Sequence, residues 1–335
     1  MKKLLSFLLL ASAAMAAEGY HVIQKIHIGG GGSWDYLTLD NSARRLYVSN
    51  GTRAVVLDID AGKVIGEIPD TQGIHGIALA PDLGRGFTSN GRSNNVTIFD
   101  LKTLKPVGQV ATGQNPDSIL FEPKSGRLFT FNGRSNDSTA IDAKTGAVVG
   151  TIPLGGKPEF SVTDGSGKIW VNIEDTSEVA VIDTVKLSVL RRSSIAPCEE
   201  PSGLAMDSKN RRLFSVCGNN TMAVTDADSG QVVATVPIGP GTDGAGFDAG
   251  SGLAFSSNGG DGTLSVVGQV NGKYAVVETV PTARGSRTMT VDPKLHRVYL
   301  PTVEYGPAPA AKQPGGRAGR APALPDSFSL LVVGK

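Results

Sequence analysis

The chain has 335 residues, including 43 Gly and 19 Pro, and is 40% hydrophobic but only 6% aromatic. Gly and Pro at this level require many tight turns without reaching the composition of a disordered chain. Lys and Arg number 32 against 31 Asp and Glu. That balance gives no general attraction to nucleic acid or membrane, and the mature chain offers no run of about 18 apolar residues to act as a transmembrane anchor.

At the N-terminus, Lys2 and Lys3 precede the apolar run Leu4-Leu5-Ser6-Phe7-Leu8-Leu9-Leu10-Ala11, which gives way to small residues ending Ala14-Met15-Ala16-Ala17. A basic n-region, a short h-region and an A-x-A site make residues 1–17 a secretory signal, cut after Ala16 or Ala17. Its removal leaves 30 basic against 31 acidic residues, a charge of −1. The expected location is periplasmic or secreted, where disulfides persist. Residues 18–335 are expected to form one domain and a monomer.

Seven repeats follow. Tyr47, Phe87, Phe129, Trp170, Phe214, Phe255 and Tyr299 are spaced by 40, 42, 41, 44, 41 and 44 residues. Asp58, Asp100, Asp142, Asp183 and Asp226 make a second column at spacings of 42, 42, 41 and 43. Each unit carries four short runs of alternating or apolar character, as at 201–208, 212–217, 221–226 and 232–238. No segment has a helical period. Four strands per repeat of this length predict an all-β, seven-bladed β-propeller with four antiparallel strands per blade.

The innermost strands alternate bulky positions, such as Leu204 and Met206, with small ones, such as Gly203 and Ala205, so that neighbouring blades can interlock. Tyr36 and Phe160 break the pattern. The stretch 21–29 matches the fourth strand of a repeat, whereas the last repeat ends at its third strand, 329–333. The N-terminal strand is therefore expected to complete blade seven and close the ring.

Arg45-Leu46-Tyr47-Val48-Ser49-Asn50-Gly51 resembles the repeat of the YVTN family of bacterial β-propellers, and Asp58-Ile59-Asp60-Ala61-Gly62-Lys63-Val64-Ile65 is similar to the hairpin that follows it. The resemblance spans nearly all of the mature chain and implies an exported seven-bladed propeller. It implies no single activity: nucleic-acid binding has been proposed for some relatives, and quinoprotein-type propellers share the architecture. Phe129-Thr130-Phe131-Asn132, Phe214-Ser215-Val216-Cys217 and Tyr299-Leu300-Pro301-Thr302 depart from the motif. The motif is structural, so these departures remove no catalytic residue.

Familiar catalytic signatures are missing: no G-x-S-x-G elbow, H-E-x-x-H, haem-attachment C-x-x-C-H or Walker loop occurs. Gly29-Gly30-Gly31-Gly32 leads into a strand and reads as a flexible inter-blade loop. Asn50-Gly51, Asn90-Gly91, Asn132-Gly133 and Asn258-Gly259 end second strands, where a position tolerant of positive φ is expected. His21 and His27 fall in the closing strand and His296 in a hairpin turn. His75 belongs to a polar column that leads into the innermost strands: Asp35, His75, Asp117, Glu159, Ser202, Asp243 and Arg287. The fold sets all seven around one channel mouth.

Strand lead-ins are turns, and turns are polar; the alternative is a ligand or cation site. Arg287 falls between Asp243 and Asp35, and His75 between Asp35 and Asp117. Asp117 and Glu159 are expected to be neighbours with no base between them, so that they share a proton or recruit a divalent cation such as Ca2+. The Pro/Gly-rich insertion 304–326 in blade seven carries Lys312, Arg317 and Arg320 and is expected on the same face, as a lid or as an insertion without a role. Cys198 leads into repeat five and Cys217 ends its second strand, predicting a disulfide.

Three functions follow in order. The first is a non-enzymatic scaffold that binds a small molecule or protein at the channel face. The second is a metal- or quinone-dependent enzyme, of lactone hydrolase or oxidoreductase type, using Asp117, Glu159, Asp243 and His75; propeller lactone hydrolases hold Ca2+ at this mouth, which is an analogy of fold. Nucleic-acid binding is third, because the mature charge provides no phosphate-binding stripe.

Overall fold

The second and third strands of each repeat are apolar on both faces, as a sheet sandwiched between two others must be. Arg45–Asn50 and Arg53–Asp58 are buried along nearly their whole length, whereas the fourth strand, Lys63–Ile68, faces solvent. The computed structural model describes residues 19–308 and 321–335. Residues 1–17, expected to be a secretory signal, and Lys312, Arg317 and Arg320 lie outside the described residues. The described chain forms seven four-stranded antiparallel sheets, with one short 3-10 turn at Pro81–Leu83 as its only helix. No helix among the described residues is long and apolar enough to cross a membrane.

Blade one runs from Leu37–Asp40 inside to Lys63–Ile68 outside, and the next five blades repeat its order. Blade seven takes Thr290–Asp292, Arg297–Thr302 and Ser329–Gly334 from the C-terminal end and His21–His27 from the N-terminal end. The last two pair antiparallel, with Ile26 opposite Leu330. The ring therefore has no unpaired inner seam at its closure.

The buried core is distributed between blades. Leu46, Val48 and Leu57 of blade one meet Tyr299, Leu330 and Val332 of blade seven, and the other six junctions have equivalent clusters. The aromatic column from Tyr47 to Tyr299 is at most 1% exposed at every position. Burial of each such side chain contributes about 1.5–3 kcal/mol, so the column anchors the core once in every blade.

Close approach explains the small positions. A Cβ on Gly203 would lie 2.6 Å from the Ala245 nitrogen, and one on Gly246 2.5 Å from Cγ2 of Val291. The Asp column caps the turn between third and fourth strands: Asp58 Oδ1 accepts the N–H groups of Asp60 and Ala61, at 3.0 and 2.8 Å. Asp142 does the same for Lys144 and Thr145.

The Asn-Gly repeats differ from expectation. Neither these four Asn residues nor Gly91, Gly133 and Gly259 adopt positive φ, although Gly51 does, at 65°. Three of the four share a side-chain geometry instead: buried Asn90 Nδ2 donates to Asn95 Oδ1 and Thr97 Oγ1, both at 2.9 Å, whereas Asn50 donates to the Gly31 carbonyl. Asn132 and Asn258 repeat the Asn90 link between second and third strands. Cys198 and Cys217 are disulfide-bonded, with Cα atoms 5.7 Å apart.

Candidate functional site at the channel mouth

The inter-blade turns deliver the polar column to one mouth because every innermost strand starts from the same side. His75 stands at the centre of the resulting contacts. Its Nδ1 lies 2.6 Å from Asp35 Oδ2 and 3.3 Å from Asp117 Oδ1. In the imidazolium form both ring nitrogens carry protons, and Nδ1 then donates to Asp35. Burial opposes the imidazolium charge, but the Asp35 hydrogen bond and the field of Asp117 outweigh it and raise the His75 pKa. His75 thus serves both carboxylates.

On the other side of the ring, Arg287 Nε donates to Asp243 Oδ2 at 2.8 Å, and its guanidinium reaches Asp35 at 3.8 Å. Glu159 is met by Lys157 at 2.8 Å, and the same ammonium pairs with Glu174. Lys157 corrects the expectation of an uncompensated Asp117–Glu159 pair. It lies two residues before Glu159 and outside the column, so register alone did not reveal it. Ser202 stands apart: its hydroxyl turns toward the Val216 carbonyl at 3.5 Å.

Despite these bases, three mouth acids resist ionisation. Burial and then the neighbouring Asp117 push Glu159 up to about 8. Burial likewise raises Asp243 to about 7, with Asp35 adding to it and Arg287 opposing. Asp117 rises to about 6 by burial, with His75 opposing and Asp35 reinforcing. Near neutral pH the mouth holds a mixed set of protonated and ionised carboxyl groups, able to donate, accept or take up a cation.

Tyr36 and Phe160, the two exceptions to the small-residue pattern, meet across the channel from blades one and four. Their ring centroids are 5.0 Å apart at 62°. The Tyr36 hydroxyl reaches Glu159 Oε2 at 3.4 Å. Below them lies a cavity of about 570 Å³ lined by Leu37, Leu39, Ile77, Leu79 and Phe121. On the mouth side, Asp35, His75, Asn115, Arg92, Arg134 and Arg287 line a cavity of about 600 Å³. The aromatic pair marks the change from polar to apolar channel.

Glycines make room for this arrangement. A Cβ on Gly91 would come within 2.6 Å of His75 Nε2, and one on Gly259 within 2.9 Å of the Arg287 Cβ. Gly91 and Gly259 therefore each let a mouth side chain lie against the backbone. Of the insertion, Tyr305 and Ala323 form a bridge, and both line a further mouth cavity with Trp34, Arg284 and Arg287.

Among groups of His, Cys, Asp and Glu, the described residues place Asp35, His75 and Asp117 within 4.8 Å of one another through one donor atom each. This set differs from the expected Asp117–Glu159 pair, since Glu159 is engaged by Lys157.

No family model and no curated sequence matches the chain. Solved propellers do. Kuenenia stuttgartiensis hydrazine synthase aligns with a TM-score of 0.69 at 15% identity, over 87% of this chain and 95% of that one. The WD40 repeats of RRP9 align with a TM-score of 0.74 at 9% identity, over 93% and 96%. A chain of the mitotic checkpoint complex aligns with a TM-score of 0.73 at 15% identity, over 89% and 95%. At these identities the likeness establishes a shared seven-bladed propeller fold.

Proposed function

We propose that this propeller is a binding scaffold that takes a small polar ligand at its channel mouth. One observation carries the proposal: buried Glu159 and partly buried Asp117 and Asp243 gather at the channel mouth, where desolvation raises their pKa values to about 8, 6 and 7. Perturbed carboxyl groups gathered in a cleft are a physical mark of a functional site. A ligand that supplies positive charge or hydrogen-bond donors relieves their desolvation, and the mouth releases protons as it binds.

Calorimetric titration of Ca2+, Mn2+, Zn2+ and small ammonium compounds tests this proposal. The parent binds at least one of them with proton release near pH 7, and the Asp117→Asn/Glu159→Gln variant binds it at least about tenfold more weakly. Equal binding by both proteins would remove the acids from the site.

A second proposal is a metal-dependent enzyme, favoured by the Asp35–His75–Asp117 cluster. One imidazole and two carboxylates suit Zn2+ or Mn2+ better than Ca2+, which takes about 6–8 oxygen ligands. The ion would require His75 Nδ1 to be free of a proton. Metal analysis of the purified protein separates the two proposals: stoichiometric metal favours this one, and its loss on His75→Ala would place the ion at the cluster. We further propose export directed by residues 1–17, consistent with the Cys198–Cys217 disulfide. A mature N-terminus at Ala17 or Glu18 supports export, and an intact Met1 contradicts it.

A further inference from the structure

The pentapeptide Asn-Gly-Arg-Ser-Asn occurs twice, at 90–94 and at 132–136. Both copies join second to third strands on the mouth face, in adjacent blades. The corresponding blade-one and blade-six loops lack the arginine, reading Asn50-Gly51-Thr52 and Asn258-Gly259-Gly260.

Four of the five positions have a structural task. The first Asn ties the strands together from within. Gly91 gives space to His75, and Gly133 lies beside Asn115 and Asp117. Ser93 and Ser135 donate to Asn95 and Asp137, at 2.8 and 3.1 Å. Asn94 and Asn136 take the left-handed turn, with φ of 51° and 56°.

The arginines have no such task. Among the described residues, neither the Arg92 nor the Arg134 guanidinium makes a hydrogen bond or an ion pair, and both are exposed. Their backbones are nevertheless fixed: the Arg92 N–H donates to the Gln72 carbonyl at 3.3 Å and the Arg134 N–H to that of Gln114 at 3.1 Å. Both side chains line the cavity that holds Asp35, His75 and Arg287.

We propose that Arg92 and Arg134 form a clamp for the carboxylate or phosphate of a small molecule, whose other end presents a cationic or hydrogen-bond-donating group to Asp35 and Asp117. The proposal deepens, and rests on, the assignment of the mouth as the binding site. Guanidinium groups suit the task because their planar N–H pairs match the two oxygens of such an anion, and holding them on two pinned loops limits the ordering required on binding. Asp35 and Asp117 each approach His75 within one cluster, so that a single cationic or donor group can meet both.

Calorimetric titration at pH 7 with butyrate, 4-aminobutyrate, inorganic phosphate and a short single-stranded oligonucleotide provides the test. The parent binds 4-aminobutyrate more tightly than butyrate if the anion is a carboxylate, or phosphate most tightly if the site favours that group. Arg92→Gln/Arg134→Gln weakens the bound anion by at least about tenfold while its melting temperature stays at the parental value. Asp117→Asn loses the preference for 4-aminobutyrate over butyrate, and its failure to do so would overturn the placement of the cationic end at Asp35 and Asp117. Equal anion binding by the parent and the arginine variant, or no binding of any small probe by the parent, overturns the clamp. Binding of the oligonucleotide alone would overturn the small-molecule class.

Discussion

The two ends of the innermost strands carry the same residue types and treat them in opposite ways. At the rim away from the mouth, Asp292 is fully buried, yet its carboxylate accepts from Lys294 and Leu295 N–H and from the Arg44 guanidinium at 2.6 Å. Burial opposes its ionisation, but these hydrogen bonds prevail and lower its pKa. Asp248 is likewise lowered, with Ser251, His296 and Gly250 overcoming burial. At the mouth, no backbone N–H among the described residues reaches the carboxyl groups of Asp117, Glu159 or Asp243, and burial prevails. Burial alone therefore does not decide a buried acid's state; the supply of donors does. The rim acids are satisfied by backbone N–H groups together with side chains, whereas the mouth acids rely, among the described residues, on His75, Lys157, Arg287 and Tyr36 side chains alone.

The largest effect expected from this contrast is at the rim. Arg44 belongs to blade one and Asp292 to blade seven, so their pair joins the first and last repeats. Asp292→Asn leaves a buried guanidinium half-paired and should cost about 3–5 kcal/mol, measured by denaturant unfolding. Because the folded pKa of Asp292 is lowered, its contribution is present above its unfolded value of about 4 and is lost as pH falls through the folded value. The parent–variant difference should therefore shrink in acid. A variant as stable as the parent at pH 7 would deny the rim its structural role.

Asp117→Asn should act in the opposite direction. With a folded pKa raised to about 6, Asp117 lends stability below its unfolded value of about 4 and loses that contribution as pH rises through 6. At pH 8 the amide should stabilise the protein by roughly 1–3 kcal/mol, and the gain should vanish below about pH 4. Destabilisation at pH 8 would mean that the Asp117 charge is satisfied in the parent.

A smaller effect sharpens the same comparison. Gly91→Ala keeps a permitted backbone angle but pushes against His75 Nε2 and the Asn115 side chain. Stability should change by no more than about 1 kcal/mol, since flexible side-chain ends can yield. The imidazole resonances of His75 should nonetheless shift and titrate at a new pH, and an unchanged titration would show that the Gly91 gap does not position the ring.

Much of the fold was legible in the sequence because each blade needs the same filler at the same place. Tyr47 and its six counterparts mark the period, and the strand beginning at His21 completes the blade that ends at Gly334. The mouth was legible as a column, since register alone carries Asp35, His75, Asp117 and Glu159 to one side. What register could not convey was direction. Lys157 reaches Glu159 from a turn, and Tyr36 meets Phe160 from three blades away. The arginines were obscured because Asn-Gly reads as a turn signal; the identity of the two pentapeptides, rather than either alone, was the available sign.

The central claim is that Asp117, Glu159 and Asp243 at the mouth ionise only at raised pH, whereas Asp248 and Asp292 at the rim ionise more readily than an ordinary aspartate. A pH titration of side-chain carboxyl carbons by nuclear magnetic resonance, with Asp117, Glu159, Asp243, Asp248 and Asp292 assigned by substitution, measures this directly. The account predicts midpoints of about 6, 8 and 7 for Asp117, Glu159 and Asp243, with Asp248 and Asp292 titrating below the ordinary aspartate range. All five titrating together near about pH 4 would contradict it.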